Sequence, residues 1–414
     1  MDNYSILLLA GEASGDHHAA TLVKDLKDLI PGLKVTGIGG DKLAAAGMDL
    51  LFHYRDINTI ALTEGFGKLV RILKVYRAMK AELMSGRHNL FIPVDYPDVN
   101  IRLCRFASRA RIPVCYYISP QVWAWRKGRI RKIASRVDRM MTIFPFEERL
   151  YREAGLETHF VGHTMVREIP ESMNRAELRA EMGFGPEDRV IALVPGSRQA
   201  EVRRMLPIMS EAAVIFHAAN TDARFVLPLA AEHLRPIVEE IIEKYPLSVT
   251  VRTGSAFDVM AAADCGLVTS GTATLQAALA GMPHAVVYKV DPATWWIGLH
   301  ILKPLLMDKD VHIAIANVLA IYEEREGRGP IKEVIDAGLD IRCGECGRPL
   351  FVPEILQDRA VPDNLAVWLT RMLNDEVFKE TTAKGFRQIR EMLRPPPHGP
   401  TAAEVVRDIL AGRT

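Results

Sequence analysis

The sequence predicts an α/β protein of two doubly wound domains facing a central cleft, and three observations carry that prediction. Short apolar runs, each the length of a buried parallel strand, recur along residues 1–165 and again from residue 189. Helical segments separate the runs, so the strands must be joined by crossovers. A polar stretch, residues 167–188, punctuated by Pro170 and Pro186, divides the two series and reads as a linker.

The first domain, residues 1–166, opens on a strand at Ser5–Ala10. The N-terminus has no basic n-region and only a short apolar run, so it reads as this strand and not as a signal peptide. A glycine-containing loop and a helix near His17–Leu29 follow, then strands at Lys34–Ile38, Asn89–Val94, Val114–Ile118 and Met140–Ile143. The second domain, residues 189–375, has strands at Arg189–Val194, Arg224–Leu229, Ser248–Val251, Cys265–Val268 and His284–Tyr288, with helices between them. The chain is helical from Pro362, and residues 376–414 form C-terminal helices interrupted by Pro395-Pro396-Pro397.

At 414 residues the chain is long enough for two full cores. A net charge of +1 gives no general electrostatic case for nucleic acid. No run of eighteen apolar residues predicts a membrane-crossing helix. Five cysteines, odd in number and sparse, point to a reducing compartment and a cytoplasmic protein.

In an open α/β sheet, ligands bind outside the carboxyl ends of the strands. Asp95-Tyr-Pro-Asp98-Val-Asn100 follows the strand Asn89–Val94, which puts Asp95 at the lip of the cleft. A plain alternative is an N-cap for the next helix, and Asp98 fits that cap better, leaving Asp95 as the free carboxylate. Read as a metal pair, the two aspartates lack a third ligand, so no metal is expected. Ser119-Pro-Gln-Val-Trp123-Ala-Trp125-Arg126 follows the strand Val114–Ile118 and brings indoles and a cation to the same end. A carboxylate, aromatic surface and fixed cations suit a sugar phosphate or a nucleotide.

Gly11-Glu12-Ala-Ser14-Gly15-Asp16 follows the first strand and opens a helix. Its small residues let backbone N–H groups approach an anion, but a tight turn with Asp16 as N-cap is the plainer reading of this segment by itself. Gly37-Ile-Gly-Gly40 repeats the pattern. In the second domain, Pro195-Gly196-Ser197-Arg198 follows a strand, and its guanidinium can clamp a phosphate. Ser270-Gly271-Thr272-Ala-Thr274 follows another and starts the helix Ala273–Ala280. Capping by Ser270 or Thr272 is the plain reading of that loop. Two such loops at strand carboxyl ends favour a nucleotide diphosphate.

Gly65–Met84 is a basic amphipathic helix. Leu69, Ile72, Leu73, Tyr76, Met79 and Leu83 form an apolar stripe beside Lys68, Arg71, Lys74, Arg77 and Lys80. The stripe is either core or a surface that rests on anionic lipid, with Leu69, Ile72 and Leu73 as the membrane contact. The basic run Arg126–Lys132 could serve the same face. Cys343-Gly-Glu-Cys346 has the form of half a zinc site, with no second pair to complete it.

Taken together, these segments resemble the lipid-A-disaccharide synthase family, inverting glycosyltransferases of the GT-B fold. The resemblance runs through Ala10–Asp16, Asp95–Asn100, Ser119–Arg126, Phe144-Pro-Phe-Glu147, Val161-Gly-His163, Leu193–Arg198, Ser270–Thr274 and Val352-Pro-Glu-Ile-Leu-Gln357, nearly the whole chain in order. It implies transfer from a UDP-activated 2,3-diacylglucosamine to 2,3-diacylglucosamine 1-phosphate, with Asp95 as general base on the acceptor and no cofactor. It also places Arg198, Ser270–Thr274 and Asn317 around UDP and implies a peripheral position on the cytoplasmic face of the inner membrane. Three departures stand out. Gln276 replaces the family's usual glutamate on the ribose, Lys68 replaces a glutamate on the acceptor side, and residues 321–346 look inserted. Two other readings stay open: a different GT-B nucleotide-sugar enzyme, such as a UDP-N-acetylglucosamine 2-epimerase, and a membrane-surface binding protein without catalysis.

Overall fold

A computed structural model describes residues 4–58, 65–120, 129–170, 173–291, 314–324, 330–343 and 347–412. The chain divides into two compact units, Met1–Thr164 with Leu393–Thr414, and Met165–Met392.

The first unit is built on a seven-stranded sheet in the order β3-β2-β1-β4-β5-β6-β7. Its strands are β1 Ser5–Ala10, β2 Lys34–Gly39, β3 Asp49–His53, β4 Leu90–Val94, β5 Cys115–Tyr117, β6 Arg139–Thr142 and β7 Glu157–Phe160. All pairings are parallel, with Ala10 opposite Val94 at the centre. β1 and β4 are apolar without alternation because helices cover both sheet faces. The second unit repeats the plan in six strands, β10-β9-β8-β11-β12-β13. These are β8 Arg189–Val194, β9 Ala223–Leu229, β10 Val249–Thr253, β11 Cys265–Thr269, β12 His284–Tyr288 and β13 Glu354–Leu356. In each sheet the strand order reverses once, between β1 and β4 and between β8 and β11. Those reversals are where a doubly wound sheet opens a crevice.

β3, β7 and β13 escape the sequence reading. Each lies at a sheet edge and is incompletely buried, so none shows the unbroken apolar run of a central strand. The stretch expected as a linker, residues 167–188, packs into the second unit where it is described. Arg175 and Arg179 each pair with one Asp264 oxygen at 2.7 Å. Arg179 also donates to the carbonyls of Ala262 and Pro186. Residues 376–414 do not form one terminal group. Helix Glu376–Met392 stays in the second unit, where Arg390 donates to the carbonyls of Ile169 and Leu279. Residues 393–412 return to the first, where His163 N–H donates to the Leu393 carbonyl at 2.9 Å and helix Ala402–Leu410 packs on helix Ala13–Leu29.

Helix Gly65–Met84 splits the expected apolar stripe. Met79 and Leu83, with Val75, are buried in the first core, and Tyr76 packs against it. Lys80 lies over the Phe106 ring at 4.7 Å. The C-terminal half of the stripe is therefore core, because it packs against helix Pro97–Arg109. Leu73 stays 40% exposed. The side chains of Leu69, Ile72 and Lys68 lie outside the described residues.

Candidate active site

The loop after β4 makes the sharpest bend at the first sheet's reversal. Asp95 and Tyr96, consecutive and neither of them glycine, both take left-handed φ values of 44° and 47°. Each such residue costs about 1–2 kcal/mol, and a residue before proline normally prefers extended backbone. Hydrogen bonds hold the bend. Asp95 N–H donates to the Tyr117 carbonyl at 3.1 Å. The Asp95 carbonyl accepts from Tyr116 Oη at 2.6 Å and Asn100 Nδ2 at 2.7 Å. Gly11 makes room for the Tyr96 ring: a Cβ there would lie 2.4 Å from it. The next strand ends similarly, with Ile118 at φ 64°, an outlier for a β-branched side chain.

Burial, and then the negative charge of Glu12, push the Asp95 carboxyl up to about 6, with the Tyr96 backbone hydrogen bond pulling the other way. Glu12 comes from the loop after β1, the strand paired with β4. Asp98 has a different place. It lies in the first turn of helix Pro97–Arg109, whose N-cap is Tyr96, so it is not the cap expected of it. Exposed, it pairs with Arg129 at 2.9 Å. Asp95 is the less exposed carboxylate of the two.

Asp16 is not an N-cap either, since Glu12 holds that position on helix Ala13–Leu29. The Asp16 carboxylate is buried and accepts from the backbone N–H groups of Gly40, Lys42 and Leu43 at 2.5, 3.2 and 3.3 Å. It ties the first turn of helix Ala13–Leu29 to the start of helix Asp41–Ala45 after β2. Ser14 is exposed and Gly15 is buried against Ala10 and Val94. Trp123, Trp125 and Arg126 lie outside the described residues.

In the second unit both expected loops flank the sheet reversal. Gly196 takes φ 106° and turns the chain into helix Gln199–Ala219. Ser197 and Arg198 N–H groups donate to Glu201 Oε2 at 3.1 and 3.2 Å. The Arg198 guanidinium donates to Glu201 Oε1 at 3.0 Å. Sequence reasoning missed Glu201. Its signal is a carboxylate three residues into the helix, the spacing of a capping box. Across the reversal, helix Thr272–Leu279 starts after Gly271 at φ 140° with no side-chain cap, so neither Ser270 nor Thr272 caps it. Thr274 is fully buried and its hydroxyl donates to the Gly271 carbonyl at 2.8 Å. Gln276 is half-buried one turn on. Asn317 lies on helix Ile315–Glu324, which packs on helix Thr272–Leu279. Fully buried, its amide donates to the Val352 carbonyl and Glu354 Oε1, and accepts from the N–H groups of Phe351 and Val352, all at 2.8–2.9 Å. Its side chain thus fixes the segment leading into β13.

Among the described residues, no cluster of His, Cys, Asp or Glu is placed to hold a metal. Cys343 is half-buried next to an antiparallel Arg342–Pro349 bridge, and Cys346 lies outside the described residues. No described helix is long and apolar enough to cross a membrane.

The first unit thus carries a half-buried carboxylate, Asp95, near Glu12 at its sheet reversal, and the second unit carries an exposed arginine and a helix start without a side-chain cap at its own. Comparison with known proteins supplies the family. The family described as lipid-A-disaccharide synthetase matches residues 6–325. A lipid-A-disaccharide synthase of Geobacter metallireducens is 36% identical over 94% of this chain and 93% of its own. One from Syntrophus aciditrophicus is 37% identical over 95% and 94%. A solved UDP-GlcNAc 2-epimerase from Neisseria meningitidis, bound to UDP-GlcNAc, superposes with a TM-score of 0.58, covering 94% of this chain and 99% of its own. At 11% identity that likeness shows the fold alone, the GT-B fold.

Proposed function

The chain belongs to the lipid-A-disaccharide synthetase family and is a glycosyltransferase of lipid A biosynthesis; we propose that Asp95 is its base and that the loops at Gly196–Arg198 and Ser270–Thr274 hold its UDP-sugar. The reaction joins UDP-2,3-diacylglucosamine to 2,3-diacylglucosamine 1-phosphate and releases UDP. The acceptor's primary hydroxyl attacks the anomeric carbon of the donor. A C–O bond forms there as the bond to the UDP oxygen breaks, with inversion. The hydroxyl proton passes to Asp95.

The observation that carries this reading is the state of Asp95. An acceptor alcohol needs a base at the moment of attack, and general-base help contributes roughly a hundred- to ten-thousand-fold. A carboxyl raised to about 6 is a stronger base than an ordinary one and is still ionised at neutral pH. Arg198 supplies positive charge where the departing UDP gains negative charge, and N–H groups at the start of helix Thr272–Leu279 add theirs. Gln276 can offer the ribose a neutral acceptor in place of a charged one. Both substrates carry acyl chains, so the enzyme must reach them at a bilayer. The first half of helix Gly65–Met84, with exposed Leu73, is the proposed contact, on the cytoplasmic face of the inner membrane.

UDP release, followed with and without diacylated acceptor, tests the reading. Acceptor-dependent release that Asp95→Asn abolishes, with UDP binding retained, is the expected result. Release independent of acceptor would favour an epimerase-like hydrolysis. No release at all would favour a binding protein.

A further inference from the structure

We propose that Tyr116 and Asn100 are positioning residues for the transfer reaction, fixing the Asp95 carboxylate by holding that residue's own carbonyl in a left-handed bend. The inference rests on the reading of Asp95 as the base.

The two donors reach the carbonyl from different elements. Tyr116 is on β5 and Asn100 is in the first turns of helix Pro97–Arg109. Both side chains are fully buried at 0% exposure, so neither can touch a substrate. Each donates to the same oxygen, at 2.6 and 2.7 Å. Asn100 Nδ2 also reaches the Val94 carbonyl at 3.2 Å, and Asn100 N–H donates to the Tyr96 carbonyl at 3.1 Å. The peptide units on both sides of Asp95 are thereby fixed. A non-glycine residue in the left-handed region persists only where its surroundings over-determine it. Removing one donor lets the bend relax toward extended backbone. That relaxation swings the Asp95 side chain out of its half-buried place beside Glu12 and into more water.

The groups that face Asp95 give the direction of the change. They are Glu12, from the loop after β1, and the neutral phenol of Tyr116, with Tyr96 next in the chain. Burial and Glu12 both hold the Asp95 carboxyl up, so moving away from them lowers it toward the ordinary range.

Tyr116→Phe deletes one oxygen and is the first variant; Asn100→Ser is the second and carries the same test should the first fold poorly. The expected result for each is a fall in kcat of about ten- to a hundredfold, as for other lost positioning contacts. KM for the UDP-sugar should stay within about twofold, because the donor loops are untouched. The acid limb of the kcat/KM profile should move to lower pH. A lower melting temperature with wild-type kcat per folded molecule and an unmoved acid limb would reduce both residues to a structural role and overturn the inference. Asp95→Asn, assayed beside them, separates the two levels. If it keeps its turnover, the base assignment fails and takes the inference with it. If it loses turnover while both clamp variants behave as wild type, only the positioning inference fails.

Discussion

Glu201 holds Arg198 from two sides: its Oε1 lies 3.0 Å from the guanidinium, and its Oε2 accepts the Arg198 backbone N–H at 3.2 Å. The same oxygen takes the Ser197 N–H at 3.1 Å. These are the donors proposed for the UDP phosphates, and in this structure the Glu201 carboxylate accepts from them.

Glu201→Gln should therefore tighten UDP binding. The amide keeps a neutral cap on the helix but leaves the Arg198 charge unopposed. Arg198 is 78% exposed, so water already screens the pair, and exposed pairs are worth about 0–1 kcal/mol. A gain of roughly two- to fivefold in UDP affinity by calorimetry is expected, shrinking as salt is added. Binding weakened more than tenfold would mean that Glu201 supports the phosphate site instead of competing for it.

Asp95 should destabilise the fold at neutral pH. Its carboxyl is raised from 3.8 to about 6 in the folded chain, so the folded state binds the proton more tightly than the unfolded one. Stability is then lost as pH rises through the window from about 4 to about 6 and stays lost above it. Asp95→Asn removes that loss. The inactive variant should melt higher than wild type at pH 8, by on the order of 1–3 kcal/mol, and should show little difference near pH 4. Equal melting at both pH values would show that the environment of Asp95 does not disfavour its charge.

Much of the fold was legible because buried parallel strands are apolar on both faces. β1, β4, β8 and β11 announce themselves that way. The turns after β8 and β11 were legible as well, since glycine directly after such a strand marks a bend, and Gly196 and Gly271 take φ 106° and 140°. What stayed hidden depends on distant partners. The left-handed bend at Asp95-Tyr96 carries no glycine, and its donor Tyr116 reads as one more core aromatic. The return of residues 393–412 to the first unit rests on contacts such as His163 to Leu393, which no local pattern encodes. The apolar stripe of helix Gly65–Met84 was visible, but periodicity alone cannot say whether such a face meets core or lipid.

His284 should make the second unit sensitive to acid. It is fully buried, stacks on Phe386 at 5.7 Å and has Nδ1 2.9 Å from the Met282 carbonyl. Burial, partly offset by that hydrogen bond, pushes its pKa from 6.5 down to about 4. A depressed folded value means stability is fully present above about 6.5 and falls as pH drops toward 4, where the unfolded chain takes up the proton first. His284→Phe should lose a little stability at pH 7, with the hydrogen bond, yet show a smaller drop between pH 7 and pH 5. An undiminished drop in the variant's melting temperature would place the acid sensitivity elsewhere.

Helix Gly65–Met84 should have two separable halves. Replacing Met79 by Ala empties space in the core and should cost about 2–5 kcal/mol of stability, with vesicle binding per folded molecule unchanged. Replacing Leu69, Ile72 and Leu73 together by Ser should spare the fold and weaken co-sedimentation with anionic vesicles. Two contributions are expected in that binding. Lys74, Arg77 and Lys80 are exposed, and each cation near an anionic surface adds on the order of 1 kcal/mol that salt screens away. The apolar side chains add a part that salt does not remove. The triple variant should therefore lose the salt-resistant fraction and raise KM for diacylated acceptor, with UDP affinity held constant. Unchanged sedimentation at high salt would exclude this half of the helix as the membrane contact. An unfolded triple variant would show instead that the apolar stripe is core along its whole length.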